Sequence, residues 1–386
     1  MLKKLLPVAL ILALIATLIF WQREGEPAAE SASTNFIAAL TSSEVEGFSL
    51  ATEPGAIQFP RDFGAHPDYQ TEWWYYTGNL ETAEGRPFGF QLTFFRIALA
   101  PTEAMRETFA TSDWATNQVY FAHFTISDVA EENFLEAEVF SRGAVGLAGA
   151  QATPYRVWIN EWQAQETADG LVRLTASTEE AALDLTLTQT LPPILHGDAG
   201  LSQKGEAAGN ASHYYSLVQQ EAEDTVTVGD EPFTVTGKAW KDHEYSTSAL
   251  EADAIGWDWF SLQFDNEAAL MLFEIRLEDG SIEPWSSGTY VAPDGTVRPL
   301  RYGDWEITIN DTWTSPQSGG EYPAGWRIRV PEVGIDISGE PLMADQELNV
   351  STTYWEGAVE FSGALQGEPA SAQGYIELTG YTAPAN

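Results

Sequence analysis

A run of four consecutive aromatic residues stands beside a carboxylate, from Glu72 to Tyr76. It limits the folds that this chain can adopt more than any other part of the sequence. Successive side chains of a β-strand point to opposite faces, so Glu72, Trp74 and Tyr76 share one face, while Trp73 and Tyr75 share the other. Aromatic rings on both faces predict a strand that is buried on both sides. The run therefore favours a β-protein with an aromatic interior.

A turn-forming segment at residues 83–87 leads into a second aromatic run at residues 88–99, and the two runs together predict a β-hairpin. Short segments rich in aromatic and β-branched residues continue to the C-terminus, and roughly eighteen strands are expected in all. Helical periodicity is scarce. We therefore predict an all-β protein made of two barrels or sandwiches.

Composition narrows the range of functions. The chain has 386 residues, a formal net charge of −39 and no cysteine. The missing cysteine excludes disulfides, thiolate metal sites and cysteine nucleophiles. The negative charge makes nucleic acid a poor partner. Because the acidic residues are scattered along the chain, solvation of the surface is favoured over a dedicated cation site.

The N-terminus has the layout of an export signal. Lys3 and Lys4 precede an uncharged, mostly apolar run from Leu5 to Trp21, whose length lies between that of a signal peptide and that of a short membrane span. We predict a signal peptide or membrane anchor over residues 1–26 and a linker over 27–46. The protein is then periplasmic or extracellular, either free or attached to the cytoplasmic membrane.

Two domains are predicted after the linker, an N-terminal barrel over residues 47–246 and a C-terminal barrel over 247–386. The boundary is placed in the polar segment from Ser246 to Asp253, between two aromatic strands. The longest predicted insertion without strands runs from Leu191 to Ser212. Segments of this kind serve as functional loops or lids, or simply as crossovers.

Four blocks carry a family resemblance, at residues 66–80, 89–96, 239–244 and 256–261. Their aromatic motifs, in this order, resemble the AttH and hydroxyneurosporene synthase group, which includes carotenoid 1,2-hydratases. Residues 375–381 are similar to the C-terminal strand of that family. The resemblance spans essentially the whole chain after the linker. It implies two lipocalin-like (calycin) antiparallel β-barrels packed together, and barrels of this size can enclose one ligand.

The resemblance also implies a reaction, the addition of water to an isolated isoprenoid double bond. That reaction needs a proton donor, aromatic faces that stabilise a carbocation, and a positioned water. Burial raises the pKa of a carboxyl group and keeps it protonated. Glu72, Asp242, Glu244 and Asp258 are the candidate acids. Asp242 and His243 resemble the hydratase motif, so Asp242 is expected to be the acid and His243 its orienter or a base for water.

Structural alternatives stay open for these residues. Glu244 stands where the hydratases tend to carry asparagine, so the carotenoid reaction itself does not transfer directly. Asp242 and Glu244 share a strand face and could equally form an ion pair with Lys238, Lys241 or an arginine. His243 is as well explained by a structural role as by a catalytic one.

The aromatic residues divide between core packing and ligand contact. Trp257 and Trp259 point to one side of their strand, and packing is favoured over a cavity lining for them. An acid among tryptophans needs a partner, and Arg96 on the neighbouring strand is expected to pair with Glu72. The residues predicted to contact a ligand are Glu72, Trp73, Trp74, Tyr75, Tyr76, Tyr214, Trp240, Trp257, Asp258 and Trp259.

No metal and no cofactor is expected. His66, His123, His213 and His243 could meet in space, yet they lack the spacing of known metal motifs. The chain has no Gly-x-Ser-x-Gly elbow, P-loop or dinucleotide fingerprint. A serine hydrolase or metallohydrolase is therefore not expected.

Three functions remain. The first is an exported lipocalin-like protein that binds a hydrophobic isoprenoid or lipid and hydrates a C=C bond. The second is a non-catalytic lipid carrier or chaperone with the same cavity. The third is a carbohydrate-active or carbohydrate-binding β-protein, because tryptophans with carboxylates also suit sugars. The first two predict an enclosed cavity, and the third predicts tryptophans in an open groove.

Overall fold

Two antiparallel β-sheets form the protein in a computed structural model, which describes residues 46–102, 112–247 and 249–382. Both sheets belong to one compact unit that spans residues 36–386. The only helices in these described ranges are short 3₁₀ turns at Arg61–Phe63, Val129–Glu131 and Pro331–Val333. The all-β prediction is confirmed.

The first sheet has thirteen strands in the spatial order β4-β3-β2-β1-β13-β12-β9-β8-β7-β6-β5, with β10 and β11 paired to β12. Its strands are β1 (Thr71–Thr82), β2 (Pro87–Ala98), β3 (Gln118–Asp128), β4 (Asn133–Arg142), β5 (Ala148–Ala152), β6 (Tyr155–Ile159), β7 (Trp162–Glu166), β8 (Val172–Ser177), β9 (Ala181–Gln189), β10 (Ile194–Leu195), β11 (Leu201–Gln203), β12 (Ala211–Val228) and β13 (Glu231–Ser246).

The second sheet has ten strands in the order β17-β16-β15-β14-β23-β22-β20-β19-β18, with β21 paired to β22. Its strands are β14 (Ala254–Phe264), β15 (Ala269–Leu277), β16 (Ser287–Val291), β17 (Val297–Arg301), β18 (Glu306–Thr314), β19 (Glu321–Val330), β20 (Ile335–Pro341), β21 (Glu347–Asn349), β22 (Thr353–Leu365) and β23 (Glu368–Leu378).

Each sheet curls around its own apolar core. The first core takes buried side chains from strands at both ends of the first sheet, among them Phe124 of β3 and Val157 of β6. The second core is built in the same way from the second sheet, with Trp326 and Trp355 at its centre. Two barrel-like sheets are therefore present, as the lipocalin-like prediction requires.

The predicted hairpin and its alternation are confirmed. Strand β1 pairs with β2, and Glu72 lies opposite Arg96. Trp74 and Tyr76 are buried in the first core. Trp73 and Tyr75 point away from it into a third cluster. Both faces of this aromatic strand are thus buried against apolar clusters.

The third cluster lies where the two sheets pack on each other. Its members come from both sheets, including Tyr75 and Tyr214 of the first sheet and Trp259 and Tyr375 of the second. The outer face of one sheet therefore packs against the outer face of the other. The interface combines this apolar cluster with buried polar side chains such as Asp242 and Glu356.

The strand predictions missed several short elements. Residues 191–212 were expected to lack strands, yet β10 and β11 lie within this segment and pair with β12. They are two and three residues long, which is too short for an alternation pattern to be visible in sequence. The segment is thereby tied to the outer part of the first sheet.

The chain leaves the first sheet at Ser246 and enters the second at Ala254, and the two-domain division itself stays a prediction. The expected signal or anchor segment lies outside the described residues. The described part of the chain contains no apolar helix with the length of a membrane span.

Candidate active site

A pocket opens at the interface between the two sheets. It has about 570 Å³ of empty space, its open mouth included. Its walls combine aromatic rings with a few charged groups. The lining residues are Trp73, Tyr75, Phe95, Lys204, Tyr214, Asp242, Glu244, Ala249, Leu250, Trp257, Trp259, Phe273 and Glu377.

The pocket adjoins a second cavity with about 410 Å³ of empty space, its open mouth included. The two cavities share Phe95, Trp257 and Glu377 on their walls. The second cavity continues past them to His123 and Tyr354. The aromatic space between the sheets therefore extends from Asp242 towards His123.

Strand β13 supplies the central carboxylates. The side chains of Asp242 and Glu244 point to the interface and line the pocket. Lys241 and His243, the preceding and intervening residues, point into the first barrel, where Lys241 Nζ lies 4.4 Å from the centre of the Tyr155 ring. Adjacent residues of this strand thus lie in two different environments, because successive side chains alternate between the two faces of the strand.

Asp242 is held by three donors. The Tyr214 hydroxyl donates to Oδ2 at 2.6 Å, and the Trp240 indole donates to Oδ1 at 2.6 Å. Ser216 Oγ also bonds Oδ1. The Asp242 side chain is 4% exposed. These bonds fix the orientation of the carboxyl group at the pocket wall.

Burial nevertheless raises the pKa of Asp242 to about 7, since desolvation of the carboxylate and the negative charge of Glu244 outweigh the three hydrogen bonds. A carboxyl group with this pKa is partly protonated near neutral pH and can donate a proton. Ser216 Oγ is able to accept the proton of the neutral form, because a hydroxyl group both donates and accepts.

The histidine connected to Asp242 is His196. Its Nε2 shares a hydrogen bond of 2.6 Å with Ser216 Oγ, and its Nδ1 shares one of 2.8 Å with Thr289 Oγ1 of the second sheet. Burial and the charge of Lys204 lower the pKa of His196 to about 3, so the ring is neutral. A hydrogen-bonded chain therefore runs from Thr289 through His196 and Ser216 to Asp242.

This connection corrects the expected pairing of Asp242 with His243. His243 lies on the other face of β13, where its Nε2 bonds Glu72 Oε1 at 2.8 Å and its Nδ1 shares a bond with the Tyr215 hydroxyl. Sequence reasoning treated His196 only as part of an insertion. Its position in the segment from Leu191 to Asp198, rich in proline and glycine, was the one available signal.

Glu244 forms a buried ion pair. Lys204 Nζ lies 2.8 Å from Glu244 Oε1, and Ser212 Oγ donates to the same oxygen. The expected ion pair on this strand face is present, but with a partner that sequence reasoning did not name. Lys204 follows β11 directly, so the segment from 191 to 212 places its ammonium group in the pocket wall.

Two further carboxyl groups lie beside the pocket. Burial and the charges of Asp242 and Glu244 raise the pKa of Glu377 to about 7, although the Trp257 indole donates to it. Next to it, Glu356 is fully buried and accepts a hydrogen bond of 2.5 Å from Tyr75. Burial and the neighbouring Glu377 hold the pKa of Glu356 well above its usual range. Neither glutamate was predicted.

Glu72 belongs to a separate ionic cluster in the first barrel. Arg96 Nε donates to Glu72 Oε2 at 2.8 Å, as expected. His66 Nδ1 and His243 Nε2 lie 2.7 Å and 2.8 Å from Glu72 Oε1. The pKa of Glu72 is well below its usual range because the nearby cations and hydrogen bonds outweigh desolvation. This cluster does not line the pocket.

The group of His66, Glu72 and His243 is also the arrangement among the described residues that could hold a metal ion, with ligand atoms within 4.8 Å of one another. The carboxylate is already bonded to both rings at hydrogen-bond distances. His66 Nε2 in turn lies 3.1 Å from Asp62 Oδ1. The geometry is that of an ionic hydrogen-bonded network, which is complete without a metal.

The predicted ligand contacts are therefore split. Trp73, Tyr75, Tyr214, Trp257 and Trp259 line the pocket. Trp74 and Tyr76 are packed in the first core.

Trp240 contributes a hydrogen bond to Asp242 rather than a wall of the pocket. Asp258 is turned away, where it pairs with Arg276 at 3.0 Å and accepts a bond from Tyr381. Whether the pocket residues act on a ligand stays a prediction.

Comparison with known proteins identifies the family to which this architecture belongs. A family model described as AttH-like matches residues 50–381. The chain belongs to the AttH-like family. The crystal structure of an AttH from Nitrosomonas europaea is 34% identical and superposes with a TM-score of 0.78, covering 87% of this chain and all of that one.

More distant relatives share the fold. Kievitone hydratase from Nectria haematococca is 15% identical, with a TM-score of 0.65 over 86% of this AttH-like chain and 96% of the hydratase. The dehydratase asqC of Emericella nidulans is 21% identical over 229 residues, which are 54% of this chain and 60% of the dehydratase. This chain thus spans about 60% of the length of the curated relative that it matches.

Proposed function

We propose that this AttH-like protein adds water to, or removes water from, a hydrophobic molecule bound between the two sheets, with Asp242 as the proton donor. The observation that carries the proposal is the carboxyl group of Asp242. It is buried in an aromatic pocket, oriented by three side chains and raised in pKa to about 7.

The chemistry follows from the groups around the pocket. In hydration, the protonated Asp242 gives its proton to one alkene carbon, and water attacks the cation at the other carbon. The incoming water loses a proton to a carboxylate, for which Glu377 is the candidate. The electron-rich faces of Trp73, Trp257 and Trp259 stabilise the cation in the meantime. Asp242 is the donor in this hydration direction; in dehydration the same steps run in reverse, so Glu377 protonates the leaving hydroxyl group and the Asp242 carboxylate accepts the proton from carbon.

The shape and polarity of the pocket support a hydrophobic ligand such as an isoprenoid. Mainly aromatic walls match an apolar molecule better than a sugar, which needs many hydrogen-bonding partners. The pocket tryptophans lie at the packed interface rather than in an open groove. The names of two relatives, a hydratase and a dehydratase, point to the same reaction class.

The reaction is tested with a panel of acyclic isoprenoid alkenes and tertiary alcohols in water enriched in the heavy oxygen isotope. Mass spectrometry then follows heavy oxygen entering a product or exchanging into an alcohol. We expect incorporation with the wild-type protein and its loss in Asp242→Asn. That variant keeps the shape of the side chain but cannot donate an acidic proton.

Asp184→Asn is the matched control, since Asp184 is an exposed partner of Arg173 and lies outside the pocket. Retention of full turnover by Asp242→Asn would show that another group is the acid. Tight binding of isoprenoids without any incorporation would favour the carrier function instead.

Export is proposed from the sequence of residues 1–26 alone. Intact-mass measurement of the protein purified from the native cell envelope distinguishes a cleaved signal from a retained anchor. A full-length chain recovered only from the cytoplasm would contradict export.

A further inference from the structure

The lining of the pocket contains one buried cation, the ammonium group of Lys204. Lys204 is 3% exposed, and its ammonium group lies in a wall that is built mainly from aromatic and acidic side chains. It stands 4.1 Å from the centre of the Phe273 ring and 5.4 Å from that of Tyr214. Both rings belong to the pocket lining, so the charge is directed at the space in which a ligand would lie.

The hydrogen bonds of this ammonium group are incomplete. A lysine ammonium carries three donors. Of the described residues, Glu244 takes one at 2.8 Å, and Ser202 Oγ lies at 3.5 Å, the limit of a hydrogen bond. A wholly apolar ligand beside Lys204 would leave the remaining donors facing only the Phe273 and Tyr214 rings, which are weaker partners than an oxygen acceptor. A ligand with an oxygen acceptor at this point would supply the stronger partner.

The charge around Lys204 restricts the kind of acceptor. Asp242, Glu244 and Glu377 all line the same pocket, and each raises the cost of bringing in another negative charge. Lys204 is already neutralised by Glu244. An uncharged oxygen, with its partial negative charge, is therefore a better match than a carboxylate or a phosphate.

We propose that the ligand of this pocket is an isoprenoid or similar apolar molecule that carries a carbonyl group, and that the carbonyl oxygen accepts a hydrogen bond from Lys204 Nζ. Lys204 is then a specificity-determining residue. The inference rests on the proposed function only in placing the ligand in this pocket. The inference predicts a difference in affinity between a ketone and a hydrocarbon of the same skeleton, whatever reaction follows.

The test uses pseudoionone, an acyclic isoprenoid dienone, and the hydrocarbon that has a methylene group in place of its carbonyl. Isothermal titration calorimetry measures binding of both compounds to the full chain. We expect the wild type to bind the ketone at least ~10-fold more tightly, which corresponds to the free energy of one net hydrogen bond to a charged group. Lys204→Met should lose this preference while it keeps its affinity for the hydrocarbon.

Two further variants control the result. Lys204→Met leaves Glu244 buried without its cation, so the double variant Lys204→Met/Glu244→Gln removes the pair together and should show the same loss of preference. Lys238→Met removes a lysine outside this pocket and should retain the wild-type preference.

Equal affinity of the wild type for both compounds, binding of neither, or a ketone preference that survives in both Lys204 variants would overturn the inference. Catalysis is read separately, by incorporation of a whole water molecule into either compound, because a ketone oxygen exchanges with heavy-oxygen water without an enzyme. A ketone preference that depends on Lys204 without incorporation would contradict the proposed function and leave this inference standing. Equal incorporation into both compounds, with no ketone preference in binding, would contradict this inference and leave the proposed function standing.

Discussion

Asp242 and His243 are neighbours in the sequence, yet their side chains lie on opposite sides of a sheet. Asp242 faces the pocket between the sheets, and His243 joins the ionic network around Glu72 in the first barrel. The choice of Asp242 as a candidate acid from its motif agrees with its position. The choice of its partner failed geometrically, because the partner is set by the fold and not by adjacency.

The neighbours of Asp242 shift its pKa in opposite directions, which gives a paired prediction. Ser216→Ala removes a hydrogen bond that favours the carboxylate, so the pKa of Asp242 should rise. Glu244→Gln removes a negative charge that disfavours the carboxylate, so the pKa should fall. Hydration requires protonated Asp242 and is lost on the alkaline side as pH rises through this pKa, whereas ionised Glu377 sets the acidic side. The midpoint of the alkaline side should therefore move up in the first variant and down in the second.

Lys241 provides a stability prediction in the first barrel. It is buried among aromatic rings, and burial lowers its pKa from 10.5 to about 7. The unfolded chain binds a proton more readily, so Lys241 destabilises the fold fully below about pH 7, and the penalty disappears as pH rises towards about 10. Lys241→Met should raise the free energy of unfolding by several kcal/mol at about pH 6.

Urea unfolding at about pH 6 and about pH 10 checks this prediction, because the gain should nearly vanish at the higher pH. The control is Lys238→Met, which removes a half-buried lysine for which no such gain is expected. An equal gain for Lys241→Met at both pH values would show that packing, not the buried charge, is responsible.

At the scale of single elements, strand β1 shows how much of the site was visible in the sequence. The period of two placed Trp73 and Tyr75 on one face and Trp74 and Tyr76 on the other, and both assignments agree with the structure. The period could not tell which face lines a pocket. That distinction depends on the second sheet, which packs against only one of the two faces.

Two adjacent tryptophans of β1 should therefore respond differently to truncation. Trp74→Ala opens a cavity in the first core and should cost about 3–5 kcal/mol of unfolding free energy. Trp73 is only partly buried, so Trp73→Ala should cost about 1–2 kcal/mol and weaken isoprenoid binding. Chemical denaturation and calorimetry on both variants make the comparison. Similar losses of stability would contradict the assignment of the two faces.

The segment from Leu191 to Ser212 contributes two residues to the site that its sequence did not predict. It delivers His196 to the chain of hydrogen bonds behind Asp242 and Lys204 to the pocket wall. Its two strands are held by pairing with β12 alone. Contacts of this kind join residues that are distant in sequence. They follow from strand register and packing, so no local sequence pattern predicts them.

At the scale of the whole molecule, the aromatic pocket lies between two barrel-like sheets. The sequence predicted a cavity inside a barrel, because barrels of this size can enclose one ligand. Both barrel interiors are instead filled by side chains. The polar and aromatic residues left over on the outer faces meet at the interface, where Tyr75 and Tyr214 pack with Trp259.

An apolar interface of this kind predicts that the two sheets unfold together. Calorimetry of the full chain should show one transition whose calorimetric and van't Hoff enthalpies agree. Residues 247–386 expressed alone should bind the dye ANS strongly, because Trp257, Trp259 and Tyr375 lose their cover. Two separate transitions, or a well-folded fragment that does not bind ANS, would show that the sheets are independent domains.

The most direct test of the central claim is the protonation state of Asp242, which can be read without a substrate by infrared difference spectroscopy. Spectra of the wild type minus Asp242→Asn, recorded across a pH titration, should contain a protonated carboxyl band at acidic pH. This band should be lost as pH rises through about 7. A carboxylate that stays ionised down to the ordinary pKa of aspartic acid would contradict the assignment of Asp242 as the proton donor.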